Sequence, residues 1–254
     1  MASTRTASVR VSGIAVASAL ALTLGLSACS SSDESGQADT SDQASADDAS
    51  GQASVENGGP ADLQALLPGQ EAFGKGFTIT PIPSEQLSST FDQARVAGEG
   101  QTSDPAQCKE VLDYAAGLDP AQTAMEAALD QERKTTIAVI VTHADTVLDT
   151  ARAHLDECGS FTVTAGEHTS HVTTSRFAPA GATGDQAIGI SRAEAVDGQG
   201  TMNTVLAADA ADGVAVQVIA QQPSAKALPS DVVDHYQEQT SESAQHVLDE
   251  ASKN

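Results

Sequence analysis

The chain has 254 residues, of which 35 are acidic and 12 basic, a formal net charge of -23 at pH 7, with no Trp, two Tyr and five Phe. That balance argues against nucleic acid as a partner, because phosphates must be met by clustered Lys and Arg. The shortage of aromatics leaves the core to Val, Leu, Ile and Ala and weakens any stacking platform for sugars.

The first element is a leader. Arg5 and Arg10 precede an uncharged apolar stretch from Val11 to Leu24, and Leu26, Ser27, Ala28 and Cys29 follow. This is the layout of a signal peptide. About fourteen apolar residues fall short of the roughly 20 that span a bilayer comfortably, so cleavage is expected rather than permanent insertion. The run Leu-Ser-Ala-Cys resembles the lipobox of bacterial lipoproteins, in which the Cys sulfur takes a diacylglycerol and becomes the new amino terminus. The resemblance implies that residues 1–28 are removed. It also implies that Cys29 carries diacylglycerol and further fatty acyl chains such as palmitate, so that the chain sits on the extracytoplasmic face of the cell membrane. Two or more acyl chains bury dozens of methylenes at about 0.8 kcal/mol each, enough for lasting attachment where one chain is marginal.

From Ser30 to Gly59 the composition turns to Ser, Asp, Ala, Gln and Gly, with seven acidic residues, no Lys or Arg, and Val55 as the one branched aliphatic. Such a segment cannot bury enough to fold, and residues 29–59 are expected to form a lipidated, disordered stalk. As a flexible coil it would reach roughly 30 Å, and its acidity repels an anionic membrane surface.

Residues 60–254 are within the usual size of one domain and keep 28 acidic and 10 basic residues, net -18. A short helix is expected at Ala61 to Leu67, ended by Pro68, then an extended stretch from Phe77 to Ile82. Asp104, Pro105 and Gln107 have the form of an N-cap, a first-turn proline and a capping-box partner. Cys108, Val111, Leu112 and Ala115 follow at helical spacing, and Gly117 ends the pattern. Asp-Pro-Ala-Gln recurs at Asp119 to Gln122 and predicts a second helix start. Ile137 to Val141 is a β-branched apolar run and predicts a buried strand. Thr142 with Asp145 offers another capping box, and Val147, Leu148, Ala151, Leu155 and Cys158 form one helical stripe.

Beyond Cys158 the period becomes two. Strands are predicted at Phe161 to Thr164, His171 to Phe177, Ala187 to Ser191, Met202 to Ala207 and Val214 to Ala220. Gly166 separates the first two, and Asp212-Gly213 is a strong hairpin signal before the last. A ragged apolar stripe through Val233, Tyr236, Val247, Leu248 and Ala251 predicts a final helix from about Ser230. The fold class read from this order is α+β: an antiparallel β-sheet packed by amphipathic helices.

With Cys29 lipidated, an even pair of cysteines remains in an exported chain, and the expected disulfide joins Cys108 to Cys158. A redox-active pair is disfavoured because no Cys-x-x-Cys spacing occurs.

The order of parts, a helix bearing Cys108, the strand Thr136 to Val141, then His143 to Cys158 as a helix ending in Cys-Gly, resembles actinobacterial sensor-type lipoproteins. It is more loosely similar to the extracellular sensor domain of PknH-type serine/threonine kinases. Those domains commonly carry four cysteines and a Trp before the helix-ending Cys; here Leu155, Asp156 and Glu157 precede Cys158. The resemblance implies an antiparallel sheet with flanking helices around a cleft, and binding or sensing without chemistry. No site residue transfers through it.

Signals for catalysis are weak. Gly189, Ile190, Ser191, Arg192 and Ala193 approximate the Gly-x-Ser-x-Gly elbow but lack the final Gly, and the pattern around them is a strand running on rather than one feeding a helix. His168 and His171 are expected on opposite faces of a strand. His235 and His246 are eleven residues apart, beyond the one-turn spacing that converges on an ion. Asp145, Asp149 and Asp156 form no looped calcium motif. No catalytic residue, metal site or cofactor is expected. The function expected from these features is that of a non-enzymatic, lipid-anchored cell-envelope protein that binds a small apolar or envelope-derived ligand, or a partner protein. The alternative is an envelope hydrolase acting on lipid or glycan esters.

Overall fold

The computed structural model describes residues 61–112, 118–143, 149–182, 186–196 and 198–253. The leader, Cys29 and the acidic stretch to Gly59 lie outside these residues, as do Asp145, Val147 and Leu148.

Two short helices, α1 (Ala61–Gln64) and α2 (Gln70–Phe73), open the domain. They lead into β1 (Phe77–Pro81), α3 (Ser84–Glu99) and β2 (Gln101–Asp104). A 3₁₀ helix over Ala106–Leu112 and a 3₁₀ turn over Pro120–Gln122 precede the hairpin of β3 (Thr123–Asp130) and β4 (Thr135–Thr142). After α4 (Asp149–His154) comes a meander of β5 (Ser160–Ala165), β6 (His168–Phe177), β7 (Ile188–Val196), β8 (Gly200–Ala211) and β9 (Val214–Ser224). The final helix is α5 (Ser230–Ala251). All nine strands join one antiparallel sheet in the order β1-β3-β4-β9-β8-β7-β6-β5-β2. The α+β reading therefore holds, with helices on both faces of the sheet.

Alternation along the strands divides the apolar residues into two cores. On one face Met125, Ile140, Ile190, Leu206 and Ile219 meet Leu87 and Phe91 of α3, Cys108, Val111 and Leu155. On the other, Val139, Val141, Val205, Val216 and Val218 meet Leu63, Leu66 and Phe73 from the α1–α2 segment and Tyr236, Val247 and Leu248 of α5. The central strands β4, β9 and β8 are buried on both sides over most of their length, so they read in sequence as apolar runs rather than alternations. Among the described residues no helix is long and apolar enough to cross a membrane.

The expected turns form. Asp212 and Gly213 both have positive φ, 53° and 78°, the geometry a tight two-residue hairpin requires, and Gly166 (φ 60°) turns β5 into β6. The expected disulfide between Cys108 and Cys158 is present. Both residues are fully buried, with Cα atoms 5.5 Å apart.

Three expectations need correction. Asp104 does not cap a helix. It ends β2, paired with Thr162 of β5, and the Gln107 amide donates to Glu157 Oε2 instead (3.3 Å). The helix bearing Cys108 is 3₁₀ through Leu112, and the i, i+3 spacing of Cys108 and Val111 suits its three-residue turn; residues 113–117 lie outside the described set. Asp119 does cap, its Oδ1 accepting from the Ala121 N–H at 2.9 Å, but a single 3₁₀ turn follows before β3. Thr-Ala-Met-Glu-Ala-Ala-Leu-Asp has helix-favouring composition, and burial between β1 and β4 overrides it. Finally, Thr142 belongs to β4 and donates its hydroxyl proton to the Gln122 carbonyl (2.9 Å) rather than to a helix cap.

Candidate functional site

One end of the sheet gathers residues that are far apart in sequence. Asp62, Leu63, Ala65 and Leu66 come from α1 and the turn after it, His143 from the residue that follows β4, Val214 from the start of β9, and Ala251 from the last position of α5. Together they line a cavity of about 320 Å³. Leu63, Leu66 and Val214 are buried members of the core on the α5 face, so the cavity is an opening into that core. At its rim His143 Nε2 lies 2.9 Å from Asp62 Oδ2, an exposed pair tying α1 to the end of β4. Five apolar residues around a volume of this size, with one polar pair at the edge, suit an apolar ligand with a polar end.

A second, smaller cleft of about 190 Å³ lies on the same face where α5 begins. Its floor is Thr173, Ser175, Ser191, Ala193, Asn203 and Val205, and Leu228 and Val233 lie above. Asn203 holds the segment leading into α5: its Oδ1 accepts from the Leu228 N–H (3.0 Å) and its amide donates to the Gln222 carbonyl (3.2 Å). Ser191 therefore does sit in a cleft, yet β7 runs through it without a turn, paired on both sides. Gln237 Nε2 donates to its hydroxyl at 2.9 Å, and an amide cannot take the proton as a general base would.

The strand neighbour of Ser191 points the other way. Arg192, buried on the opposite face, lies 3.9 Å from Glu194 and 3.5 Å from the Thr204 hydroxyl, while Ser170 donates to Glu194 Oε1 at 2.9 Å. This buried polar cluster fixes β6, β7 and β8 against one another.

Glu126 of β3 is the carboxyl that sequence reasoning missed. It lies opposite Pro81 of β1 and Val139 of β4, is 5 % exposed, and its Oε1 has no hydrogen-bond partner. Burial pushes its pKa up from 4.5 to about 7, because the charged form loses water without gaining a donor. The Ala-Met-Glu-Ala-Ala context gave one signal, a charge inside the otherwise apolar run from Ala124 to Leu129.

The remaining sequence candidates do not converge. His168 and His171 fall on opposite faces of β6, His171 exposed; His235 and His246 are exposed on α5. Asp149 begins α4, and Asp156 is an exposed partner of Arg176 at 2.6 Å. Among the described residues no group of three or more His, Cys, Asp or Glu could hold a metal ion. Cys108 and Cys158 meet in the disulfide, and Cys29 lies outside the described residues.

No family model matches the chain, and no curated protein matches its sequence. The solved structures with a loosely similar fold include two mycobacterial proteins. The extracellular domain of PknH from Mycobacterium tuberculosis matches at 15% identity over 75% of this chain and 94% of that one, with a TM-score of 0.44. An uncharacterized protein from Mycobacterium smegmatis matches at 17% identity over 74% and 95%, with a TM-score of 0.43. The likeness is loose, as the order of parts implied.

Proposed function

We propose that this chain is a non-enzymatic lipoprotein, held at the extracytoplasmic face of the cell membrane by acylated Cys29, whose domain takes a small apolar ligand. The observation that carries the reading is the cavity of about 320 Å³ bounded by Leu63, Leu66, Val214 and Ala251. It opens beside α1, the first described element. The buried disulfide supports an oxidising compartment. The straight course of β7 through Ser191 weighs against the alternative, an envelope hydrolase acting on lipid or glycan esters.

Native mass spectrometry of the protein purified from its host's envelope tests the reading. A species heavier by a few hundred daltons that returns to the bare mass on denaturation is expected, along with fatty acyl chains that disappear in Cys29→Ala. Bare protein in the native spectrum, or labelling of Ser191 by a fluorophosphonate, would count against it.

A further inference from the structure

We infer that the cavity beside α1 takes one alkyl chain of a single-chain amphiphile whose head is cationic, an ammonium or amine. This rests on the apolar-ligand reading and adds the ligand's class to it. The volume of about 320 Å³ holds about ten methylenes at roughly 30 Å³ for each water-sized group, which is one chain and not two.

The head is assigned by the charges around the mouth, taken element by element. On α1 the Asp62 carboxylate is exposed and lies against His143 after β4. On α5, Lys253 is taken up by Glu250 at 2.6 Å. Ala251 is the last residue of a helix 22 residues long, so the partial negative charge of the α5 carboxyl end lies at the cavity wall. A sulfate, phosphate or carboxylate head would meet the Asp62 carboxylate and a helix C-terminus together; an ammonium head is attracted by both. The domain's net -18 acts in the same direction at longer range.

The test uses the mature chain from position 29 with Cys29→Ser, so that no acyl chain of its own is present. Titration calorimetry below the micellar concentration compares octyl-, decyl- and dodecyltrimethylammonium with dodecyl sulfate and dodecyl maltoside. Affinity is expected to rise about fourfold per methylene from octyl- to decyltrimethylammonium and to level off at dodecyl, and dodecyltrimethylammonium to bind about tenfold more tightly than dodecyl sulfate. Asp62→Asn should narrow the ammonium-to-sulfate gap and leave the maltoside unchanged. Ala65→Trp, a substitution at an exposed position of the lining, should weaken all three. Sulfate binding as tightly as ammonium, or a gap that Asp62→Asn leaves intact, overturns the head assignment while the apolar-ligand reading stands. Absence of binding by every amphiphile overturns that reading as well.

Discussion

Glu126 has the clearest linkage to pH of any single side chain here. Its carboxyl is raised from 4.5 to about 7 in the folded domain by burial, so the fold binds its proton more tightly than the unfolded chain does. Below about pH 4.5 both states are protonated and nothing is lost. As pH rises through the window from 4.5 to 7 the unfolded state releases its proton first, and stability falls by an amount that reaches about 3 kcal/mol above the upper value. Glu126→Gln keeps the shape and removes the charge. Urea unfolding at about pH 5 and about pH 8 should show the variant more stable than the parent at the higher pH, by up to about 3 kcal/mol, and close to it at the lower. A variant no more stable at the higher pH would remove the buried carboxyl from the account.

At the scale of elements, α5 depends on close fit more than on a wide apolar stripe. Its buried face includes Thr240, Ser241, Ser243 and Ala244 beside Tyr236, Val247 and Leu248. Thr240 and Ser241 return their hydroxyl protons to the Tyr236 and Gln237 carbonyls, at 2.8 and 2.6 Å, which lets them be buried without unmet donors. A buried hydrogen bond between the Tyr236 and Thr135 hydroxyls, at 2.7 Å, ties the helix to β4. Tyr236→Phe should cost about 1–2 kcal/mol by chemical denaturation, since it leaves the buried Thr135 hydroxyl short of a partner. A loss near zero would mean that the contact does not help dock the helix.

These same elements show why part of the chain was legible in sequence and part was not. β5 to β9 announce themselves by β-branched alternation and by Gly166 and Asp212-Gly213, because local backbone demands decide those turns. α5 was found from Tyr236, Val247 and Leu248 despite its polar buried face. α3 left little trace, since only Leu87 and Phe91 are buried along its 16 residues. β3 was hidden behind the helix start read at Asp119 to Gln122, because nothing local says that Ala124 to Ala128 will lie between two strands. The cavity was illegible for a related reason: Leu63, His143, Val214 and Ala251 are brought together by strand order, which no short window of sequence contains.

For the whole molecule, the disulfide joins the 3₁₀ helix after β2 to the turn after α4, across 50 residues that include β3 and β4. Closing a loop of that length restricts the unfolded chain by about 4 kcal/mol in the chain-entropy model, an upper figure because residual structure reduces it. Reduction should therefore lower the melting temperature markedly without changing the secondary structure seen by far-UV circular dichroism below the transition. An unchanged melting point after complete reduction would show the bond to be energetically idle.

The path from β1 to β2 has a consequence for the order of events. These two strands are consecutive in the chain yet occupy opposite edges of the sheet, linked by α3, about 24 Å long. As the polypeptide is made amino end first, β1 can pair as soon as β3 arrives, but β2 must wait for β5. The β3–β4 hairpin in turn keeps an open edge until β9 appears, more than 70 residues later. Through that interval Val139 and Val141 stand without the strand that finally covers them. Synthesis from the amino end therefore delivers an unfinished sheet whose most apolar edge is closed last, and this stage, rather than the finished fold, is where a chaperone would have something to hold.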